Sequence, residues 1–143
     1  MSLLRALSVS ASGMEAQRAR AELLAENIAN AETTRTAEGG PYRRKDAVFT
    51  STTVTSPFSS QFHSALEGVG VRVAQVVVDQ RDPERRYLPG HPDADKDGYV
   101  AFPRSSPAED MVDLLNASRG YQANVAAVSA VKDMIQRSLD LLR

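Results

Sequence analysis

The N-terminal segment carries a regular pattern of apolar and polar positions. Apolar or small side chains recur at spacings of three and four residues, as at the a and d positions of a coiled coil. This pattern predicts a helix from residue 3 to about residue 30, where Asn30 suits a C-terminal cap. Gly13 is its weak position, at a cost of about 1 kcal/mol relative to Ala. The repeating positions are Leu4, Leu7, Ala11, Met14, Arg18, Ala21, Ala25 and Ile28.

The C-terminal segment predicts a second, longer helix. Ser106 is a suitable N-cap, Pro107 fits the first helical position, and Glu109 completes a Ser-x-x-Glu capping box. From Val128 onwards the apolar side chains cover an arc of roughly 220° on a helical wheel, which exceeds what one partner helix covers. The surplus predicts further helices from other chains, unless the middle segment folds back in a compact monomer. The seam positions are Met111, Leu114, Tyr121, Val125, Val128, Ile135, Leu139 and Leu142.

The middle of the chain alternates between strand and turn patterns. Residues 42–49 and 69–78 predict two strands of a β-hairpin, with a bulge near Ala74 and Gln75, where the alternation of valines changes phase. The Ser/Thr-rich stretch 50–60 predicts a mobile loop, and residues 79–104 predict turns.

These patterns together predict a mainly α fold with a small β element. The N-terminal helix (1–31) and the C-terminal helix (106–143) are expected to pair as a coiled-coil core domain. The middle segment (32–105) is expected to hold the β-hairpin and the Ser/Thr-rich loop.

Composition narrows the classes of function. The chain has 143 residues, 17 Lys and Arg against 18 Asp and Glu, a net charge of −1 and no cysteine. Near-neutral charge argues against nucleic-acid binding and a polybasic membrane anchor. Without cysteine there is no disulfide and no thiolate chemistry. No apolar run reaches the roughly 18 residues of a membrane span, so direct membrane insertion is not expected, and the N-terminus lacks the apolar region of a cleavable signal peptide.

One motif points to a metal. Asp93, Asp95, Asp97 and Gly98 match the first half of an EF-hand calcium loop. The second half fails, because Arg104 stands where the loop requires a bidentate Glu. These carboxylates are therefore weak candidate ligands, and an acidic turn is the simpler interpretation. We expect no cofactor, and no nucleophile motif indicates an enzyme.

Polar residues near the two seams suggest a second role. Asn27, Asn30, Tyr121 and Asn124 lie close to apolar heptad positions, where a buried Asn can fix the register of a coiled coil. We therefore include them in the expected assembly interface. The basic run 43–45 is expected to be a solvated or intersubunit patch rather than a phosphate site.

Several of these segments resemble one family over nearly the whole chain. Ser12-Gly13-Met14, followed by Asn27-Ile28-Ala29-Asn30-Ala31, resembles the N-terminal signature of bacterial flagellar rod and hook proteins. The segments 89–95, 98–100, 111–114 and 117–124 resemble the branch of flagellar basal-body rod protein C. Leu88, Arg104 with Ser105, and Gly120 depart from its pattern, which puts details of the middle region in doubt.

The resemblance implies a structural subunit of the proximal rod, which transmits torque and encloses the export channel. It implies as partners other rod proteins, copies of itself, the membrane-ring and rod-base adaptor proteins, and the flagellar type III export apparatus. It implies a place in the basal body, in the periplasmic space, after export without signal cleavage. The alternatives left open are a calcium-dependent binding module and a generic helical adaptor.

Overall fold

The computed structural model describes residues 3–54 and 68–141, which form two long helices and four strands. The predicted long terminal helices are confirmed, while Leu142 lies outside the described residues. The elements in chain order are α1 (Leu3–Ala29), β1 (Lys45–Val54), β2 (Gly68–Val78), β3 (Glu84–Tyr87), β4 (Tyr99–Phe102) and α2 (Pro107–Asp140).

The two helices run antiparallel against each other. A Cβ added to Gly13 would lie 2.9 Å from Oδ1 of Asn124, and one added to Gly120 would lie 3.1 Å from Cδ of Gln17. Residues further along α1 therefore contact residues nearer the start of α2. Both glycines allow a close approach of the helices, so the predicted weak position Gly13 is a point of contact.

The predicted hairpin is present with different bounds. β1 and β2 pair antiparallel, from Lys45 opposite Val78 to Val54 opposite Gly68. Val48 pairs with Gln75 and Phe49 with Val73, so Ala74 is the extra residue of the predicted bulge. The prediction of a mobile loop is wrong for residues 50–54, because β1 runs through them to Val54, and Thr and Val, which make up most of this stretch, are residue types that favour strands. Residues 55–60 of that loop lie outside the described residues.

The prediction that residues 79–104 are only turns is also wrong. β3 and β4 pair antiparallel within this segment, from Glu84 opposite Phe102 to Tyr87 opposite Tyr99. Four-residue strands are too short to show a clear alternation, and all four residues of β3 are exposed. Phe102 is nonetheless buried, with the guanidinium of Arg86 4.8 Å from the centre of its ring.

The start of α2 differs from the predicted capping box. Ser106 has extended backbone angles, and its side chain makes no capping hydrogen bond. Its carbonyl accepts from the amide of Asp110 at 3.0 Å instead, and Pro107 begins the helix as predicted. Because Pro fixes its own φ and lacks an N–H, the helix begins here without the side-chain cap.

A fully buried amide fixes the hairpin to α1. Asn27 is 0% exposed, and its Nδ2 donates to the carbonyl of Lys45 at 2.8 Å. Its Oδ1 accepts from the amide of Lys45 at 2.9 Å and from the hydroxyl of Tyr42 at 3.0 Å. The side chain thus acts as the next strand would at the edge of β1, because it satisfies both backbone groups of one residue.

The buried residues concentrate where α1 ends and α2 begins. Leu24, Tyr42, Val100 and Phe102 are buried there, together with Asn27 and Asp110. We call this end the head. Towards the other end of the helix pair the buried side chains include Ala16 and Val131, while Leu4 and Leu141 are strongly exposed. Within the described residues, the helix pair therefore has much less core away from the head.

Replacing Asn27 with Leu should lower the free energy of unfolding by about 3 kcal/mol. The amide and carbonyl of Lys45 would lose their partners while staying buried, and each such group costs about 1–3 kcal/mol. Urea denaturation followed by circular dichroism measures the change. Asn116→Leu is the matched control, since Asn116 is exposed on α2, and it should change stability by about 0.5 kcal/mol or less. Equal effects of both variants would contradict the role assigned to Asn27.

Alkaline pH should weaken the head through Tyr42. Burial, followed by the negative charge of Glu26, raises the pKa of Tyr42 to about 12. An unfolded Tyr has a pKa of about 10. The stability that the neutral Tyr42 side chain contributes is therefore complete below pH 10 and is lost as the pH rises towards 12. Its size is on the order of 2 kcal/mol. Between pH 9 and pH 11.5 the free energy of unfolding should fall less for Tyr42→Phe than for the unmodified chain, as measured by urea denaturation at both pH values. An equal fall in both proteins would refute this role of Tyr42.

Candidate assembly surface

Small and polar residues form the contact between α1 and α2. Beside the two glycine contacts, Arg20 lies 3.6 Å from the carboxylate of Asp113, and Ala16 and Ala117 are buried. On both helices these residues recur at spacings of three and four. They form a second heptad series, offset by one or two residues from the predicted seams. The contact between α1 and α2 is therefore formed by the small and polar series. The apolar series lies largely outside this contact.

The predicted interface residues differ widely in exposure. Asn27 alone is buried, and Leu142 lies outside the described residues. Those half-buried are Leu7, Met14, Ala21, Ile28, Asn30, Leu114, Asn124, Val128 and Ile135. Those exposed are Leu4, Ala11, Ala25, Met111, Tyr121, Val125 and Leu139.

Helix geometry places the two apolar seams on one side of the pair. At about 100° per residue, the seam of α1 is turned by about 120° from its contact with α2, and that of α2 by about 80° from its contact with α1. In antiparallel helices these rotations point the same way. The pKa of Arg18 is raised, mainly by its hydrogen bond to Glu22 and least by Tyr121, which places Arg18 and Tyr121 near each other on that side. The hairpin lies on the opposite side, where Ser12 accepts from the amide of Val71 at 3.2 Å.

We call this side the assembly surface. It consists of one row from each helix, and the two rows lie next to each other along the pair. The residues are Leu7, Met14, Ala21 and Ile28 of α1, and Leu114, Tyr121, Val125 and Val128 of α2.

None of the hydrogen bonds that the structure shows for Asn27, Asn30 and Asn124 joins α1 to α2, although Asn124 packs against Gly13, and a role of these asparagines between subunits stays a prediction. Asn27 bonds the backbone of Lys45 instead of α2. Asn30 donates to the carbonyl of Glu26 at 2.9 Å, and Asn124 donates to that of Gly120 at 2.9 Å, so both fold back on their own helix. A backbone carbonyl one turn earlier is within reach of a short amide and needs no partner helix.

Two residues of the basic run 43–45 form ion pairs, while Arg43 is exposed and donates to the carbonyl of Asp79 at 3.1 Å. Nη2 of Arg44 donates to Oδ1 of Asp110 at 2.8 Å, and Nη1 donates to Asp46 at 3.1 Å. Lys45 pairs with Glu26. Burial lowers the pKa of Arg44, but the hydrogen bond to Asp110 and the charges of Asp46 and Asp110 outweigh it, so the pKa lies above its ordinary value. Arg44 therefore stays charged and holds the hairpin segment to the start of α2.

The three candidate metal ligands have separate tasks. Oδ2 of Asp93 accepts from the hydroxyl of Thr34 at 2.8 Å, which ties the turn between β3 and β4 to the segment after α1. Oδ1 of Asp95 accepts from the amides of Asp97 and Tyr99 at 2.9 and 2.8 Å. Asp97 is exposed. Residues 3–54 and 68–141 contain no group of three His, Asp or Glu side chains placed to hold a metal ion.

Sequence reasoning missed the pair of Arg44 and Asp110. Asp110 is 1% exposed, and its Oδ2 has no hydrogen-bond partner in the structure. On the sequence it is one of two adjacent acids in a first turn, where acids are common and usually exposed. Its spacing could have revealed it, because Asp110, Asp113, Ala117 and Gly120 recur every three or four residues and face α1.

Two family models match the ends of the chain. The model described as "Flagella basal body rod protein" matches residues 7–35, and "Flagellar basal body rod FlgEFG protein C-terminal" matches residues 96–141. These ranges contain α1 from Leu7 onwards, β4 and α2, and therefore both rows of the assembly surface.

Curated relatives align over the full length. The chain is 37% identical to the flagellar basal-body rod protein FlgC of Borreliella burgdorferi, over 100% of this chain and 99% of the relative. It is 38% identical to FlgC of Bacillus subtilis, over 99% of each chain. The chain belongs to the FlgC family of flagellar basal-body rod proteins. FlgC of Salmonella typhimurium is 35% identical over 99% of this chain and 98% of its own length.

Several residues of the N-terminal sequence signature hold the fold together, while Met14 and Ile28 of the same signature lie on the assembly surface. Ser12 contacts β2, Gly13 admits Asn124, and Asn27 bonds Lys45. Thr33 donates to Oδ1 of Asn30 at 3.2 Å. The resemblance noted in the sequence therefore covers contacts that hold the fold and also part of the assembly surface. Neither α1 nor α2 is apolar enough over its described length to cross a membrane.

Replacing Arg44 with Met should lower the free energy of unfolding by about 3 kcal/mol. The carboxylate of Asp110 would stay buried without its cation, and breaking a buried pair costs about 3–5 kcal/mol. Combining this change with Asp110→Leu should restore at least half of the loss, because no unpaired charge remains. Arg18→Met is the control, since the pair of Arg18 and Glu22 is exposed, and this change should affect stability far less than Arg44→Met. No recovery in the double variant would count against a buried-charge origin.

Proposed function

We propose that the chain is a structural subunit of the flagellar basal-body rod and that it assembles through the assembly surface. Its full-length relatives are named as basal-body rod proteins, and the single observation that carries the mechanism is the apolar seam left outside the intramolecular helix contact. The proposal contains no catalytic step.

The seam is suited to a helical neighbour. Its α2 row has Tyr121 at 41% and Val125 at 42% exposure, on a rigid helix and at coiled-coil spacing. Apolar side chains exposed in a row of this kind mark interaction sites in soluble chains. Burial by a neighbour contributes about 25 cal/mol per Å² of apolar area, from which the cost of ordering is subtracted.

Coiled-coil packing between subunits follows from this arrangement. We propose that the assembly surface meets helices of other rod proteins or of further copies of this chain. The head, with its rigid hairpin, then faces away from the seam. Packing of many such subunits into a shaft would transmit torque and enclose an export channel.

The location and route are part of the same proposal. A rod subunit acts in the basal body, in the periplasmic space, and is delivered by the flagellar type III apparatus without a cleaved signal. The membrane-ring and rod-base adaptor proteins are its proposed further partners. The helix pair has little core away from the head, which suits a chain that completes its folding only beside its neighbours.

Neither alternative gains support from an observation. A calcium-dependent module would need the carboxylates of Asp93, Asp95 and Asp97 to converge. Asp93 instead bonds Thr34, and Asp95 bonds backbone amides. A generic helical adaptor is separated from a rod subunit by gene deletion, which should abolish swimming and basal-body rods only for a rod subunit.

Val125→Asp should abolish rod assembly while leaving the fold intact. A charge at this exposed position costs the isolated chain about 0.5 kcal/mol or less, but it would be buried at the proposed interface. The variant is tested for swimming, and for rods in isolated basal bodies, in a strain lacking the unmodified gene.

Val112→Asp is the matched control. Val112 has the same side chain, lies on the same helix and is 57% exposed, but it is on the opposite flank of α2. Swimming should be restored by Val112→Asp and not by Val125→Asp. Restoration by both, or by neither, would exclude an assembly surface confined to this side.

A further inference from the structure

An open cavity of about 260 Å³ lies at the start of α2, away from the assembly surface. Three arginines and two serines from separate segments line it, with two acids at its border. The residues are Arg44, Arg81, Arg104, Ser105 and Ser106, bordered by Glu84 and Glu109.

One of the arginines has no partner. Arg44 is bonded to Asp110, and Arg81 forms a two-point contact with Asp79, with Nη2 2.6 Å from Oδ2. Arg104 is exposed and forms no ion pair with any residue of the described ranges 3–54 and 68–141, although its charge, after the hydrogen bonds from Arg81 and Arg86, helps to lower the pKa of Asp79 and of Glu84. A guanidinium presents five N–H donors in a planar fork that matches an oxyanion.

Other donors in the cavity are also unused. Oγ of Ser105 is buried and has no hydrogen-bond partner, although buried hydroxyls nearly always have one. The hydroxyl of Ser106 makes no capping bond. The first-turn amides of Ala108 and Glu109 have no acceptor within their own helix, as in any helix start. Arg104 and these donors lie together around one opening.

The charges favour a ligand with a single negative charge. Arg44 and Arg81 are balanced by the carboxylates they hold, and Glu84 pairs with Arg86 at 3.1 Å. Arg104 remains, opposed by Glu109 and supported by the partial positive end of α2. Repulsion from Glu109 is about half as large for a singly charged carboxylate as for a doubly charged phosphate, because the Coulomb energy is proportional to the charge of the ligand.

We propose that this cavity is a second contact site, which receives an Asp or Glu side chain of a neighbouring subunit on Arg104, Ser105 and Ser106. This inference rests on the proposed function for the identity of the neighbour, but binding of a carboxylate is independent of it. Arg104 and Ser105 are also among the positions where the sequence departs from the resembling family. The site therefore gives this chain a contact of its own.

Binding is tested on the full chain by amide NMR, with acetate as the probe at constant ionic strength. The amides of residues 105–109 should shift and saturate. Arg104→Gln should weaken the apparent affinity about tenfold, as expected for loss of about 1.4 kcal/mol from one charge-assisted contact. Arg85→Gln is the control, since Arg85 is also exposed and unpaired within the described residues, and it should leave the titration unchanged. No saturable shift, or one that Arg104→Gln leaves unchanged, would overturn the site.

Inorganic phosphate is the second probe. A saturable response to phosphate together with none to acetate would overturn the assignment of a carboxylate. In cells, Arg104→Glu should impair rod assembly while Arg85→Glu should not, and full motility of Arg104→Glu would overturn the contact between subunits. If deletion of the gene leaves rods intact, the proposed function fails, yet the acetate titration still decides whether the cavity binds a carboxylate.

Discussion

The side-chain amide of Asn27 joins the parts of this molecule that would otherwise lie apart. It satisfies both backbone groups of Lys45 and the hydroxyl of Tyr42, and no water reaches it. Because the amide and carbonyl of Lys45 are at the edge of β1, a side chain of another size or polarity would leave buried groups unpaired. The direction of the hairpin over α1, and the place of Arg44 beside Asp110, follow from that contact.

The helix pair is built from two heptad series with different tasks. Small and polar residues, among them Gly13, Ala117 and Gly120, bring α1 and α2 close but bury little apolar area. The apolar series is turned to one side and stays available. A chain in which both series faced inward would be a more stable monomer, and it would have less surface to offer a neighbour. The same apolar side chains can therefore either stabilise the isolated chain or bind a neighbour, but not both.

The head and the assembly surface differ in their kind of interaction. The head is held by directional contacts, such as those of Asn27, Asp93 and Asp110, which accept few substitutions. The assembly surface is held by apolar area, which many side chains supply. Within the segments that carry the family resemblance, polar residues such as Asn27 supply directional contacts, whereas apolar residues such as Met14 and Tyr121 contribute to the surface through their spacing.

The sequence by itself determined the two long helices, the pairing of a hairpin with a bulge at Ala74, and the existence of an apolar seam too wide for one partner. These features depend on local periodicity, which is visible in the sequence without the tertiary structure. It did not determine which series of residues faces the partner helix, because the two series are offset by only one or two residues and both have helical spacing. Only the tertiary structure decided that, since the close approach at Gly13 and Gly120 admits the small residues and excludes Met14 and Tyr121. The roles of Asn27 and Asp110 were likewise decided by partners far away in sequence, at Lys45 and Arg44, whose hydrogen bonds no local pattern records.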